Sequence, residues 1–157
     1  MLKKYLLVFL ISMVPLIELR GAVPMALGMD LPVLPAYLVC IIGNMLPVPM
    51  IYFFARKVLI WGCDKPYIGK FFTYCLEKGH RGGEKLVAKT GRGGLFMALM
   101  LFVGIPLPGT GAWTGTLAAS FLDMGIKSTV IAVCLGVIMA GIIMGVGASG
   151  VFAIIGL

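Results

Sequence analysis

The stretch that decides the fold is Gly104-Ile-Pro-Leu-Pro-Gly-Thr-Gly-Ala-Trp-Thr-Gly115, inside a charge-free run of 30 residues from 93 to 122. A helix needs about 20 apolar residues to cross a bilayer, so this run is long enough to span. However, Pro106 and Pro108 each lack a backbone N–H, and each disfavours helix at the residue before it. The stretch therefore predicts a helix that is broken inside the membrane.

A second stretch of the same character lies near the N-terminus: Pro15-Leu-Ile-Glu-Leu-Arg-Gly-Ala-Val-Pro24. Non-helical backbone survives at membrane depth only where protein buries it or where it lines a polar cavity. We therefore expect both stretches to form the tips of re-entrant hairpins, with arms of roughly ten to thirteen residues that reach about halfway across the bilayer. The alternative is a pair of proline-kinked spanning helices.

The composition places the whole chain in a membrane. Of its 157 residues, 61% are hydrophobic and only 12% are charged, and the mean hydropathy is +1.08. Soluble proteins have roughly 25% charged residues, and disordered chains lack apolar residues, so both classes are excluded. Two further charge-free runs, 31–55 and 128–157, are long enough to span. We predict an all-α polytopic membrane protein with one membrane domain over residues 1–157.

The order of parts predicts an internal repeat. Residues 1–55 and 93–157 each contain a broken hairpin, then an aspartate, Asp30 or Asp123, and then a long apolar helix. With one hairpin and one crossing in each half, the second half starts on the opposite face, so the repeat is inverted. Repeated discontinuous helices are typical of transporters with a site near the bilayer midplane.

The segment between the halves, residues 56–92, is a basic loop. It carries nine of the thirteen basic residues and three acidic residues, a net charge of +6. Basic loops near membrane ends stay on the cytoplasmic side, which predicts a multi-pass protein of the cell membrane with this loop in the cytoplasm. An amphipathic helix that lies on anionic lipid is expected where apolar residues recur at Ile68, Phe71, Phe72, Cys75 and Leu76. Membrane lipids are the expected partners, and nucleic acid is not.

Glu18 and Arg20 are the chemically informative pair. Each costs about 2.5 to 3.5 kcal/mol at the bilayer centre, so ionisable residues there are candidates for function. In the functional interpretation, Arg20 holds an anionic headgroup or phosphate, while Glu18 exchanges a proton or receives a cationic substrate. The structural alternative is an ion pair that joins the hairpin to the bundle.

The second tip adds polar groups of a different kind. Freed N–H groups around Gly109 to Gly111 would attract an anion, or the small residues there would only allow close packing. Trp113 is interpreted as a packing anchor, and Asn44 either faces the cavity or joins helices. The predicted substrate or coupling residues are Glu18, Arg20, Pro24, Asn44, Pro106, Pro108, Gly109, Thr110, Gly111, Trp113 and Thr114.

Other chemistries lack support in the sequence. The four cysteines have no paired ligand spacing and His80 is the single histidine, so no metal site or cofactor is expected. A catalytic triad needs a buried histidine, and we expect no catalytic residues and no enzyme. Small residues at Gly141, Gly145 and Ser149 fit either internal helix packing or the seam of a homo-oligomer.

The chain resembles the small multidrug export protein family. The strings that carry the resemblance cover nearly the whole chain: Glu18-Leu-Arg-Gly-Ala-Val-Pro24, Gly43-Asn44 with Pro47-Val-Pro49, and Pro106-Leu-Pro-Gly-Thr-Gly-Ala-Trp-Thr-Gly115. That family is similar in plan to the DedA/VTT membrane proteins, which implies two facing re-entrant hairpins and proton-dependent translocation of drugs or lipid carriers. Glu18 and Arg20 match the hairpin residues of those proteins in type, whereas the second hairpin here has no ionisable residue.

Together these observations predict a small multidrug exporter or secondary transporter, coupled to protons, for a small-molecule or lipid substrate. The first alternative is a flippase for a phosphate-bearing lipid carrier, with the phosphate held by Arg20 and the Gly109 region. The second alternative is a structural membrane protein that recruits partners or lipids through the basic loop.

Overall fold

The computed structural model describes residues 1–15, 17–65, 69–107 and 109–155. Pro108 and Ile68, both named in the sequence predictions, lie outside these ranges, and so do the side chains of Phe72, Cys75, Leu76 and Ser149. Every regular element in the described part of the chain is an α-helix, which confirms the predicted all-α class. The seven helices are α1 (Leu2–Met13), α2 (Glu18–Gly28), α3 (Val33–Met45), α4 (Pro47–Cys63), α5 (Gly69–Gly104), α6 (Ala112–Phe121) and α7 (Ile126–Ile155).

Within the described ranges, three segments are long and apolar enough to cross a membrane: Val33–Cys63, Val87–Gly104 and Ile126–Ala148. Residues 33–63 comprise α3 and α4, which meet at Leu46. A single helix was expected over 31–55, and it is divided because Pro47 and Pro49 have no N–H to continue the ladder.

Helices α1 and α2 form a first packed pair, and the helix is broken after Met13 and resumes at Glu18. The sequence placed this break over residues 15–24, but helix resumes at Glu18, so Arg20 and Pro24 lie within α2. Pro24 removes only its own N–H, which would have bonded to the carbonyl four residues earlier. Glu18 itself has a positive φ of 50°, a conformation that is uncommon for residues other than glycine.

A second pair is formed by the end of α5 and by α6, separated by residues 105–111. Within α5 the backbone departs from helix at Gly91, with φ 72° and ψ 175°. This residue divides the element into 69–90, which belongs to the basic loop, and 92–104. After Gly104 the chain leaves the helix, so Pro106 lies in non-helical backbone, as the sequence predicts.

The short helices of each half pack on the long helices of both halves. Helix α1 contacts α3 and α5 contacts α7, whereas α2 packs on α7 and α6 packs on α4. The core between them is built from small and branched apolar side chains, among them Val8, Leu19, Ala22, Val48, Val103, Ala112, Val133 and Val137.

The two aspartates end helices in the same way. Asp30 follows α2 and Asp123 follows α6, with φ values of 57° and 54°. In both turns the next residue donates a backbone hydrogen bond five residues back, Leu31 to Ala26 at 3.1 Å and Met124 to Ala119 at 3.0 Å. This is the bond pattern of a left-handed C-terminal cap, so both aspartates form the turn that ends their helix.

Candidate functional site

Glu18 caps the N-terminus of α6. Its side chain is only 5% exposed. Oε2 accepts a hydrogen bond from the backbone N–H of Ala112, and Oε1 accepts one from the N–H of Trp113, both at 3.1 Å. The first N–H groups of a helix have no partner within the helix, and the helix dipole favours negative charge there. The carboxylate therefore satisfies two donors that the break in the second pair would otherwise leave unpaired.

Arg20 binds the opposite side of the same break. Its guanidinium donates to the carbonyl of Leu107 and, over longer contacts of 3.3 and 3.5 Å, to the carbonyls of Val103 and Ile105. It also donates to Thr110 Oγ1 at 2.8 Å. These carbonyls end α5 and begin the loop, where a positive charge is favoured by the dipole. The planar fork of donors in arginine allows one side chain to serve several acceptors.

We call these bonds, from Glu18 and Arg20 to residues 103–113, the latch. Among the ion pairs of the described residues, none joins Glu18 to Arg20. Because residues i and i+2 point in different directions on a helix, the two side chains leave α2 separately. The structure therefore does not show the mutual ion pair that the sequence offered as a structural alternative. Glu18 instead binds the start of α6, and Arg20 binds the end of α5 and the loop that follows it.

Gly111 makes the latch sterically possible. A Cβ built on Gly111 would lie 2.3 Å from Glu18 Oε2 and 2.8 Å from Cδ, closer than van der Waals contact allows. The carboxylate reaches the first turn of α6 only because this residue has no side chain. Gly109, with φ 82°, supplies a left-handed conformation in the loop that glycine adopts without cost.

Trp113 joins the second break to the first. Its indole Nε1 donates to the carbonyl of Met13 at 3.2 Å, and Met13 is the last residue of α1. One orphan carbonyl at the end of α1 is thereby satisfied.

The remaining predicted residues lie around the latch with different partners. Thr110 Oγ1 also donates within its own loop, to Ile105 at 2.8 Å or Leu107 at 2.9 Å. Thr114 has a longer bond, 3.4 Å, to the carbonyl of Gly111. Pro106 lies in the loop, whereas Pro24 lies in the middle of α2.

Asn44 is the polar side chain whose role is least explained by packing. It is 2% exposed, and its Oδ1 has no hydrogen-bond partner among the described residues. Its neighbour Gly43 lies against α1, where a Cβ would meet Ser12 Oγ at 2.1 Å. A buried acceptor without a partner carries a desolvation cost, so Asn44 is a candidate for contact with a polar ligand.

Sequence reasoning found Glu18 and Arg20 but missed their partners. Those partners are backbone groups, the N–H groups of residues 112 and 113 and the carbonyls of 103, 105 and 107, and residue types carry no signal for them. The sequence predicted anion-attracting N–H groups around residues 109–111, and the N–H groups that bind the carboxylate of Glu18 are the next two, those of residues 112 and 113. Among described residues, no group of three His, Cys, Asp or Glu side chains is placed to hold a metal ion.

The three apolar segments, the buried Glu18 and the half-buried Arg20 define an α-helical membrane protein with a polar site inside its helix bundle. The family model described as "Putative small multi-drug export protein" matches residues 18–143, which is most of the chain. The protein belongs to this family, and the match begins at Glu18. Searches of curated proteins and of solved structures found no match.

Proposed function

We propose that the protein is a proton-coupled secondary transporter that exports small organic cations across the membrane. Membership of the export family supports the direction of transport. The observation that carries the mechanism is the latch, in which the buried carboxylate of Glu18 holds the first turn of α6. A buried carboxylate is a group that either a proton or a cationic substrate can neutralise, and the two can therefore exchange there.

The two short-helix pairs support a re-entrant arrangement. Helices α1 and α2 have 12 and 11 residues, and at 1.5 Å per residue each is about 16 to 18 Å long, well short of the roughly 30 Å hydrocarbon core. The segment Val87–Gly104 is long enough to span, but the break at Gly91 leaves a straight helix over 92–104 of about 20 Å. We propose that both pairs are re-entrant hairpins.

The cross-packing of the halves supports an inverted repeat. In each half the second short helix packs on the long helix of the other half, α2 on α7 and α6 on α4. The matching caps at Asp30 and Asp123 are at the same place in each half. In this arrangement the latch lies where the two hairpin tips meet, near the bilayer midplane.

In the proposed cycle the latch is the element that changes. Ionised Glu18 makes two charge-assisted bonds to α6, and such bonds are about twice as strong as neutral ones. When the carboxylate binds a proton or a substrate cation, its hold on the N–H groups of Ala112 and Trp113 weakens. The second hairpin can then move relative to the first, and release of the proton or substrate on the other side restores the bonds.

The flippase alternative receives less support from the site. A lipid phosphate would need the guanidinium of Arg20, but that group donates to the carbonyls at the end of α5 and to Thr110. The positive end of α6 is also occupied, by Glu18. We therefore propose an organic cation, rather than a phosphate, as the substrate at this site.

Transport by purified protein in liposomes tests the proposal. We expect a lipophilic test cation such as ethidium to exchange against an opposed proton gradient, and each turnover to move protons the other way. A fluorescent lipid phosphate in the same liposomes is expected to stay in its leaflet. Faster lipid translocation without cation transport would contradict the proposal and support the flippase; no activity towards either would favour the structural alternative.

The orientation of the basic loop is a further part of this proposal, supported by its net charge of +6 and the retention of basic residues on the cytoplasmic side. Cys63 lies at the end of α4 and is partly exposed. In a Cys75→Ser variant, we expect a membrane-impermeant thiol reagent to label Cys63 in inverted vesicles and not in intact cells. Cys63→Ser in the same background is the control for labelling elsewhere. Labelling in intact cells would contradict the orientation.

A further inference from the structure

The helix over residues 69–90 carries a row of exposed aromatic and basic side chains that the transport mechanism does not use. The row runs along the helix at Phe71, Tyr74, Lys78, Arg81 and Lys85, all exposed. Spacings of three and four residues place side chains on one face of a helix. We call these five residues the basic stripe.

A different face of the same helix contacts the rest of the protein. His80 Nδ1 lies 3.9 Å from Asp123 Oδ2, and Asp123 also pairs with Arg56 at 2.5 Å. His80 and Glu84, which pair with each other at 3.3 Å, lie about a third of a turn away from the stripe at 100° per residue. The contact with Asp123 is therefore made by a different face of the helix from the basic stripe.

The stripe starts beside the end of a spanning segment. Gly69 N–H bonds to the carbonyl of Lys65 at 2.7 Å, and a Cβ on Gly69 would lie 2.6 Å from the carbonyl oxygen of Cys63. The helix thus begins directly against the last turn of α4. Trp61 in that turn is 58% exposed, with Lys65 Nζ 4.5 Å from the centre of its ring. Exposed tryptophan and lysine at a helix end are typical of the membrane–water interface.

The side chains within the stripe are chemically matched to a lipid surface. Phe71 and Tyr74 are 66% and 58% exposed, and Lys78 Nζ donates to Tyr74 Oη at 3.0 Å. The pair between Arg81 and Glu77, at 3.5 Å, is exposed, and exposed pairs compete weakly for a cation. Aromatic rings at one end followed by cations one turn apart suit the acyl boundary and the phosphate layer of an anionic leaflet.

From this placement we infer that the basic stripe is a docking surface for the headgroups of anionic lipids in the surrounding bilayer. Charge complementarity and the start of the helix at the membrane boundary identify the partner, since anionic headgroups are the acidic groups that lie within reach there. This surface is independent of the latch and of the direction of transport.

Electron paramagnetic resonance with spin-labelled lipids tests the inference on the full chain in vesicles. We expect spin-labelled phosphatidylglycerol to associate with the protein at least about fivefold more strongly than spin-labelled phosphatidylcholine. A fivefold preference corresponds to the contribution of one basic residue near an anionic surface. The preference should fall as salt is raised. It should be lost in the triple variant Lys78→Gln, Arg81→Gln, Lys85→Gln.

A matched control removes three other exposed basic residues, in the triple variant Lys3→Gln, Lys57→Gln, Lys127→Gln. It makes the same change in net charge, so it is expected to keep most of the preference for phosphatidylglycerol. Equal loss in both triple variants, or no preference in the wild type, would overturn the inference.

Discussion

Glu18→Gln is expected to reduce proton-driven cation transport by at least about tenfold and to remove its dependence on the pH gradient. The amide has nearly the shape of the carboxylic acid but neither releases a proton nor attracts a cation. It also replaces two charge-assisted bonds to Ala112 and Trp113, and hydrogen bonds to charged groups contribute about 1.5 to 3 kcal/mol each. Transport in liposomes and thermal unfolding of the purified variant measure both effects.

Variants of Arg20 separate the latch from a simple ion pair. Arg20→Lys keeps the charge but loses the planar donor fork, so it is expected to impair transport while the protein still folds. In the double variant Glu18→Gln/Arg20→Gln, both ends of the second break lose their caps, and the losses of stability should add. If Glu18 and Arg20 stabilised only each other, removing both would relieve an unpaired buried charge. Recovery of expression and transport in the double variant would therefore contradict the latch.

Gly111→Ala is expected to disrupt the latch through a single added methyl group. The added Cβ would lie 2.3 Å from Glu18 Oε2, so either the carboxylate or the start of α6 must move. Forcing an extra carbon into a packed site costs about 1 to 3 kcal/mol, and here the same movement breaks the bonds of the latch. We expect a lower Tm together with loss of proton-driven transport.

Gly93→Ala is the matched control for Gly111→Ala. Gly93 lies in the helix over 92–104, and a Cβ there meets nothing within 4 Å. Alanine is the better helix former by about 1 kcal/mol, so this variant should fold and transport like the wild type. Similar behaviour of the two alanine variants would show that the carboxylate of Glu18 does not need its close approach to residue 111.

Most of the helical organisation could be predicted from the sequence because charge and proline have strong, local effects in a membrane. The charge-free runs located the long helices, and Pro106 located the second break. Proline was less decisive elsewhere. Pro24 is accommodated within α2 at the loss of one hydrogen bond, whereas Pro47 and Pro49 together divide a segment that hydropathy alone makes continuous.

The candidate site could be predicted only in part because half of it is backbone. Glu18 and Arg20 stand out as charges near an apolar run, so their residue type identifies them. Their partners at residues 103–113 are carbonyl and N–H groups that any sequence possesses, and only the end of one helix facing the start of another makes them available. Asn44 was found by its polarity, but its unpartnered Oδ1 emerges only from the packing around it.

Hydrogen exchange at the amides of Ala112 and Trp113 tests the central claim most directly, because these two N–H groups are the ones that ionised Glu18 holds. The measured exchange rate of each amide is divided by its intrinsic rate at the same pH. In the wild-type protein in nanodiscs, we expect both amides to be protected from exchange at high pH. This protection is expected to fall about tenfold or more when Glu18 binds a proton. In Glu18→Gln the protection should be low and independent of pH. Equal protection in the two proteins at every pH would contradict the claim that proton binding at Glu18 controls the contact between α2 and α6.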